Sequence, residues 1–216
     1  MRAAAVPRTP ATCTVGAGGN DLGPVDVDLA DAGAAFLVAG PPRSGRSTAL
    51  AAIVSSLAGR GTGGFGVLLC CPRPSPLMDL VGMPGVVGAL CGSLDMQIDE
   101  ALAGARGPLA VVVDDAERLG DGIAADVLDR FTRTARDDGN LVVAAGTTHE
   151  LALHNYRGWL AAVRHARTGL LLNPASYVDG EVLSVKLPRS TSGGWPPGRA
   201  LLVQRGQTVA VQVPHG

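Results

Sequence analysis

The chain has 216 residues, which is enough for one domain with a sizeable core. Its formal net charge of −1 argues against a strongly basic surface of the kind that binds nucleic acid or an anionic membrane. No apolar stretch approaches the ~18 residues that span a bilayer, and residues 1–12 lack the charged start and apolar centre of a signal peptide.

The first elements lead up to a glycine-rich loop. Residues 1–12 are rich in Ala, Pro and Thr and predict a leader or linker, so that residues 13–216 form the single domain. Two short strands are expected within residues 13–29. The apolar run from Phe36 to Ala39 predicts a third, buried strand that ends at Gly40.

Residues 40–48 read GPPRSGRST and follow the phosphate-loop pattern called Walker A, except that Arg46 replaces its lysine. Gly40 and Gly45 allow turns that bring backbone N–H groups close to phosphate oxygens. The hydroxyl of Ser47 would bind Mg²⁺. The pattern therefore predicts ATP and Mg²⁺ as possible ligands, with these nucleotide-binding residues: Gly40, Pro41, Pro42, Arg43, Ser44, Gly45, Arg46, Ser47 and Thr48.

Arg46 makes this loop a degenerate one. The usual lysine is a compact ammonium that reaches the β- and γ-phosphates, whereas arginine is a bulkier, planar fork of donors. Arg46 can hold a phosphate but will not lie where lysine lies. The chain favours arginine throughout, with Lys186 as its single lysine, yet a site that needed lysine would keep it. We therefore expect weak or absent hydrolysis.

Alternating helices and strands follow the loop. Apolar residues at i, i+3, i+4 and i+7 predict a helix whose buried face is formed by Leu50, Ile53, Val54 and Leu57. A strand is expected from Gly66 to Cys71, residues 77–92 are ambiguous, and a short helix should end near Gly104. The four cysteines form no C-x-x-C pair, so we expect buried, reduced thiols.

A second motif follows the apolar strand 109–113. Asp114 and Asp115 stand at its end, where P-loop proteins carry the Walker B carboxylate. Asp114 would hold the Mg²⁺ shell. Asp115 lies where many ATPases carry a glutamate that orients water, so it is either catalytic or only a helix-entry residue. Thr147, beyond the next strand, contacts the γ-phosphate or is a turn residue in solvent.

The last part of the chain completes an α/β pattern. Helices are expected over residues 121–138 and over residues 149–166 with a break at Gly158, and strands over residues 141–145 and 169–172. Two strand-like runs, 200–204 and 208–213, predict a hairpin. Arginines at 130, 133 and 136 share one side of their helix and are solvated or contact a neighbouring module. The alternation predicts a mostly parallel sheet flanked by helices.

Four segments in order carry a family resemblance: GPPRSGRSTAL, VVVDDAERL, GLLLNPAS and PPGRALLVQRGQ. Together they resemble the C-terminal ATPase module of the FtsK/SpoIIIE family, most of all that of the type VII secretion ATPases EccC and EssC. The resemblance covers residues 14–214 and implies a RecA-like fold. By the same match, Asp114 and Asp115 occupy the end of Walker B, and the phosphate loop contains Gly40, Gly45, Arg46, Ser47 and Thr48.

The resemblance also implies a setting for the module. The parent would be anchored in the membrane and carry several such modules, and this fragment would lie at the cytoplasmic face. Neighbouring ATPase modules would be partners, as would the C-terminal signal peptide of a small helical-hairpin secretion substrate. The expected function is regulation, assembly or docking of substrates. The alternative is an active FtsK-like ATPase that drives protein or DNA translocation.

Overall fold

A computed structural model describes residues 8–18, 22–59, 64–153, 157–188, 191 and 195–213. They form one ten-stranded sheet with helices packed against it. The strands are β1 Thr12–Gly18, β2 Gly23–Asp28, β3 Ala35–Ala39, β4 Gly66–Cys71, β5 Val86–Cys91, β6 Leu109–Val113, β7 Leu141–Gly146, β8 Gly169–Leu172, β9 Arg199–Gln204 and β10 Gln207–Gln212. The helices are α1 Arg46–Ala58, α2 Ile98–Gly104, α3 Ile123–Thr134, α4 Thr148–Leu153 and α5 Trp159–His165. Three short 3₁₀ helices cover Pro76–Leu80, Ala116–Arg118 and Tyr177–Leu183.

The strand order is β2-β1-β10-β9-β8-β3-β7-β6-β4-β5. The strands from β8 to β5 in this order pair in parallel, and the other four add an antiparallel extension. β9 and β10 form the predicted hairpin, with a turn at Arg205 and Gly206. The sheet confirms the predicted α/β class, and the order places β3, β7 and β6 side by side.

The centre of the sheet is buried on both faces. Every residue of β3, β6 and β7 is buried, and α1 and α5 both pack on β3 and β7. This burial explains why these strands read as unbroken apolar runs rather than as alternating patterns. The ends of the three strands open toward the same edge, where the loops that follow them meet.

The structure resolves one ambiguous stretch of the sequence and contradicts one sequence expectation. The ambiguous stretch 77–92 contains the edge strand β5, whose glycine weakened its strand pattern. Cys70 and Cys71 are both buried because β4 is covered on both faces, but Cys91 is exposed, so the prediction of buried thiols is wrong for that residue. Residues 154–156, next to the predicted helix break, lie outside the described residues, as do residues 1–7 of the predicted leader.

None of the helices in the described parts of the chain is both long and apolar enough to cross a bilayer.

Candidate functional site

The phosphate loop connects β3 to α1 in the way the sequence predicts. Gly40 follows β3, and Gly45 is the residue before the first helical turn, with a φ of 96° that L side chains rarely adopt. Arg46, Ser47 and Thr48 form that first turn, where backbone N–H groups lack partners within the helix. These N–H groups and the positive end of the helix dipole face the space that an anion would fill.

The phosphate loop offers few hydrogen-bond donors from its backbone. Pro41 and Pro42 contribute no backbone N–H, and the N–H of Ser44 bonds to the carbonyl of Pro41 at 3.2 Å. The side chain of Ser44 is buried, and its hydroxyl has no hydrogen-bond partner among the described residues. Arg43 is exposed and has a positive φ of 66°. The loop therefore keeps fewer donors for phosphate than its length suggests.

Arg46 does not extend along the phosphate loop. Its guanidinium crosses to the ends of β7 and β6, where Nη1 donates to Thr147 Oγ1 at 2.8 Å and Nη2 to Asp115 Oδ1 at 3.3 Å. Nη1 also lies 3.6 Å from Glu117 Oε1. Only 9% of the Arg46 side chain is exposed, so this ion pair is shielded from solvent. The structure thus brings together Arg46, Thr147 and Asp115 from three predicted segments.

Glu117 belongs to the same cluster, although the sequence analysis did not select it. Its Oε1 accepts hydrogen bonds from the backbone N–H and the hydroxyl of Thr147, at 3.1 and 2.9 Å. Gly146 makes this approach possible, because a Cβ there would collide with the Glu117 carboxylate. The available signal was a carboxylate three residues after Asp114 in the same segment.

Arg73 also contacts this cluster, although no sequence motif contains it. It follows β4, next to β6 in the sheet, and its Nε and Nη2 both donate to Asp115, the latter at 2.9 Å. The hydrogen bonds and charge of Asp115 raise the pKa of the Arg73 guanidinium. Asp115 therefore pairs with two arginines. Its φ of 49° lies in the left-handed region, which is strained for an aspartate.

Asp114 is held by hydroxyl groups instead of arginines. Ser47 and Ser75 both donate to its Oδ2, at 2.8 and 2.6 Å, and the backbone N–H of Asp115 donates to its Oδ1 at 3.1 Å. Ser47 and Asp114 are thus close together, as two ligands of one Mg²⁺ ion would be. Burial raises the pKa of the nearby Cys71 thiol to about 11, which keeps that thiol protonated.

The residues of this site fit Mg²⁺ and ATP only in part. Ser47 and Asp114 have the chemistry of metal ligands, and the first turn of α1 has the donors for a phosphate. The buried guanidinium of Arg46 does not fit, because it places a fixed positive charge beside the carboxylates that would attract the metal. It also takes up the hydroxyl of Thr147, the predicted contact of the γ-phosphate.

A cavity of about 740 Å³ lies away from this site, beside α3. Three aspartates line it, Asp121, Asp126 and Asp129, together with Arg133 and Arg157. Its excess of carboxylates does not suit an anionic nucleotide.

Comparisons with family models and with curated proteins find no match to this sequence. Solved structures do match. The cytoplasmic domain of the Thermomonospora curvata type VII secretion ATPase EccC is 21% identical with a TM-score of 0.73, over 95% of this chain and 26% of that one. EccC ATPases 2 and 3 from the same organism, in complex with a signal sequence peptide, are 18% identical with a TM-score of 0.75, over 95% and 41%. The chain has the fold of a type VII secretion ATPase module.

The cytoplasmic domain of EssC agrees, with 17% identity and a TM-score of 0.74 over 94% of this chain and 44% of that one. The chain thus spans less than half of each of these neighbours, and the EccC and EssC fold expected from the four sequence segments is confirmed.

Proposed function

We propose that this chain is a degenerate P-loop ATPase module of a type VII secretion motor of the EccC or EssC kind. Residues 13–216 form the module, which binds nucleotide weakly or not at all. It serves regulation, assembly with neighbouring modules or docking of secreted substrates at the cytoplasmic face of the membrane. The observation that carries this proposal is the buried guanidinium of Arg46, bound to Asp115 and Thr147.

The geometry supports slow or absent hydrolysis for two reasons. Arg46 points toward the carboxylates, so it does not offer its charge to a transferring phosphoryl group. Asp115 is bound by Arg46 and Arg73 and is not free to orient a water molecule. Loss of one positioned cation typically slows such reactions ~10²-fold or more.

A phosphate-release assay tests this part of the proposal. We expect no steady-state turnover above background for the purified chain, and no difference between the wild type and the Asp114→Asn variant. Turnover that Asp114→Asn abolishes would support the alternative, an active FtsK-like ATPase. Because a neighbouring module can supply a cation in trans, the Arg46→Lys variant should also be examined in the full-length parent, where we expect secretion to continue.

Docking of a secretion signal is the second part of the proposal. Its support is the EccC structure of the same fold, which holds a signal sequence peptide. A disordered peptide that becomes helical on binding loses conformational entropy, so we expect modest affinity, roughly micromolar. Fluorescence anisotropy with labelled C-terminal peptides of substrates encoded beside the parent gene measures it.

The matched control is the same peptide with its apolar anchors at i, i+3, i+4 and i+7 replaced by Ala, which should not bind. If no candidate peptide binds while the preceding module of the parent does associate with this chain, assembly is the better account. The two results therefore separate docking from assembly.

A further inference from the structure

We infer that the ligand of this phosphate loop is a diphosphate group borne by a nucleotide, such as ADP, and that it binds without a divalent metal. The inference rests on the proposed function, since it specifies what a degenerate loop can still hold. Arg46 is a built-in cation that takes the place of both the metal and the contact to a terminal phosphate.

The carboxylates that would bind a metal already have partners. Asp114 Oδ2 already accepts hydrogen bonds from the hydroxyls of Ser47 and Ser75, and Oδ1 accepts one from a backbone N–H. The neighbouring carboxylate, Asp115, is neutralised by two guanidinium groups. A divalent cation would have to break these bonds and enter next to fixed positive charges at short range, where repulsion is strong. The site therefore disfavours Mg²⁺.

The contact that a third phosphate would make is also taken. Thr147 would be its hydroxyl contact, but that hydroxyl accepts from Arg46 at 2.8 Å and donates to Glu117 at 2.9 Å. A γ-phosphate placed there would meet the Glu117 carboxylate without a metal between them. Moving Arg46 aside would leave two buried carboxylates with fewer partners, which is costly in a shielded site. A nucleoside triphosphate should therefore bind more weakly than a diphosphate.

Donors for a diphosphate remain around the loop. The N–H groups of the first turn of α1 face the loop, and the buried hydroxyl of Ser44 has no partner among the described residues. That hydroxyl crosses the loop to the Gly40 backbone, where a side chain on residue 40 would collide with it. A buried hydroxyl without a partner is unfavourable, and a phosphate oxygen would satisfy it.

Space for the rest of the ligand adjoins these donors. A cavity of about 220 Å³ lies beside the loop, lined by Arg43, Ser44, Gly45, Thr48, Pro197, Gly198 and Val213. It lies on the side of the loop where the entry to β9 and the end of β10 approach, so a diphosphate on the loop can extend its nucleoside there without disturbing Arg46. The exposed Arg43 adds a positive charge at its rim.

Isothermal titration of the full chain tests the inference with ADP, ATP and inorganic pyrophosphate, each with excess Mg²⁺ or with EDTA. We expect ADP to bind at least as tightly in EDTA as with excess Mg²⁺, which complexes free ADP, and at least ~10-fold more tightly than Mg²⁺–ATP, a difference of about 1.4 kcal/mol. Pyrophosphate that binds as tightly as ADP would show that the diphosphate group alone is recognised and overturn the nucleotide part. Absence of binding by all three, or preference for ATP that requires Mg²⁺, would overturn the inference.

Two variants sharpen the titration. Ser44→Ala should weaken ADP binding by roughly 5-fold through loss of one hydrogen bond, whereas Arg133→Ala, on the surface of α3, should leave it unchanged. Arg46→Lys should restore dependence on Mg²⁺ and improve ATP binding. Phosphate release measured in the same samples separates the two proposals: no binding of any of the three ligands and no turnover would refute the inference and leave the degenerate module intact, whereas Mg²⁺-dependent ATP binding with turnover would refute both.

Discussion

Two arginine–aspartate pairs in this molecule have the same chemistry and different surroundings. Arg133 donates to Asp129 at 2.7 Å on the surface of α3, with 63% of the arginine side chain exposed. Arg46 and Asp115 are 3.3 Å apart, but their side chains are only 9% and 7% exposed. The Arg133–Asp129 pair is exposed to water and contributes little to stability. Removal of one partner of the buried pair leaves the other charge buried without a counter-charge or solvent, which is strongly destabilising. Burial, more than the distance between the charged atoms, therefore determines how much each pair affects the stability of the fold.

The comparison predicts its largest effect for Arg46→Ala. This change leaves Asp115 with Arg73 alone and Glu117 without an ion-pair partner among the described residues. We expect the free energy of unfolding to fall by about 3 kcal/mol, as is typical when one partner of a buried pair is removed. Urea unfolding followed by circular dichroism measures it, with Arg133→Ala as the matched surface control. Equal stability of the two variants would show that burial does not separate these pairs.

A pair of double-mutant cycles gives the next largest effect. The cycle of Arg46→Ala with Asp115→Ala isolates the energy that links the two side chains. We expect a coupling of roughly 1–2 kcal/mol, because Arg73 compensates part of the Asp115 charge. The cycle of Arg133→Ala with Asp129→Ala should show no coupling beyond experimental error. A stronger coupling between Arg133 and Asp129 than between Arg46 and Asp115 would contradict the view that burial makes the second pair the more important one.

Thr147→Val tests the hydroxyl that connects the buried charges. The hydroxyl accepts from Arg46 and donates to Glu117, and valine keeps the shape of the side chain while removing both bonds. We expect a loss of about 1–2 kcal/mol in urea unfolding. Thr132→Val in α3, which removes a hydroxyl bonded to a backbone carbonyl of its own helix, is the matched control and should change stability less. A larger loss of stability in the control would mean that the Thr147 hydroxyl does not stabilise the buried charges more than an ordinary helix hydroxyl does.

The sequence motifs located one half of this site and missed the other. Arg46, Asp114, Asp115 and Thr147 stand in or just after recognisable strand-and-loop patterns, and the structure brings them together. Glu117 is in the same segment as Asp114, but its contact with Thr147 depends on β6 lying beside β7. Arg73 and Ser75 likewise depend on which strands are neighbours. β4 lies beside β6, so the loop after β4 borders Asp114 and Asp115, and no local pattern contains that order.

The direction of the Arg46 side chain could not be predicted either. The bulk of arginine predicts that Arg46 does not lie where lysine lies, but the sequence alone does not give the direction that its side chain takes. The carboxylates of Asp115 and Glu117 draw it across β7, and Glu117 reaches that position because Gly146 leaves room for it. Tertiary electrostatics thus decided a feature that the loop motif left undetermined. The catalytic, metal and nucleotide roles of the loop residues stay predictions that the titrations above test.

The smallest expected effect concerns nucleic acid. Arg130 and Arg133 on α3 pair with Asp99 and Asp129, and the chain as a whole carries a net charge of −1. A face whose arginines are paired with aspartates offers few uncompensated charges to phosphates, so little counterion release can drive binding. We expect no salt-sensitive affinity for duplex DNA in electrophoretic or anisotropy titrations. The charge-removing variant Asp129→Asn frees Arg133 and is the sharper test, since it should still fail to bind if the surface lacks a continuous basic patch. Micromolar binding by the wild type that weakens steadily with added salt would show that the paired aspartates do not neutralise these arginines, and it would favour a DNA-translocating motor.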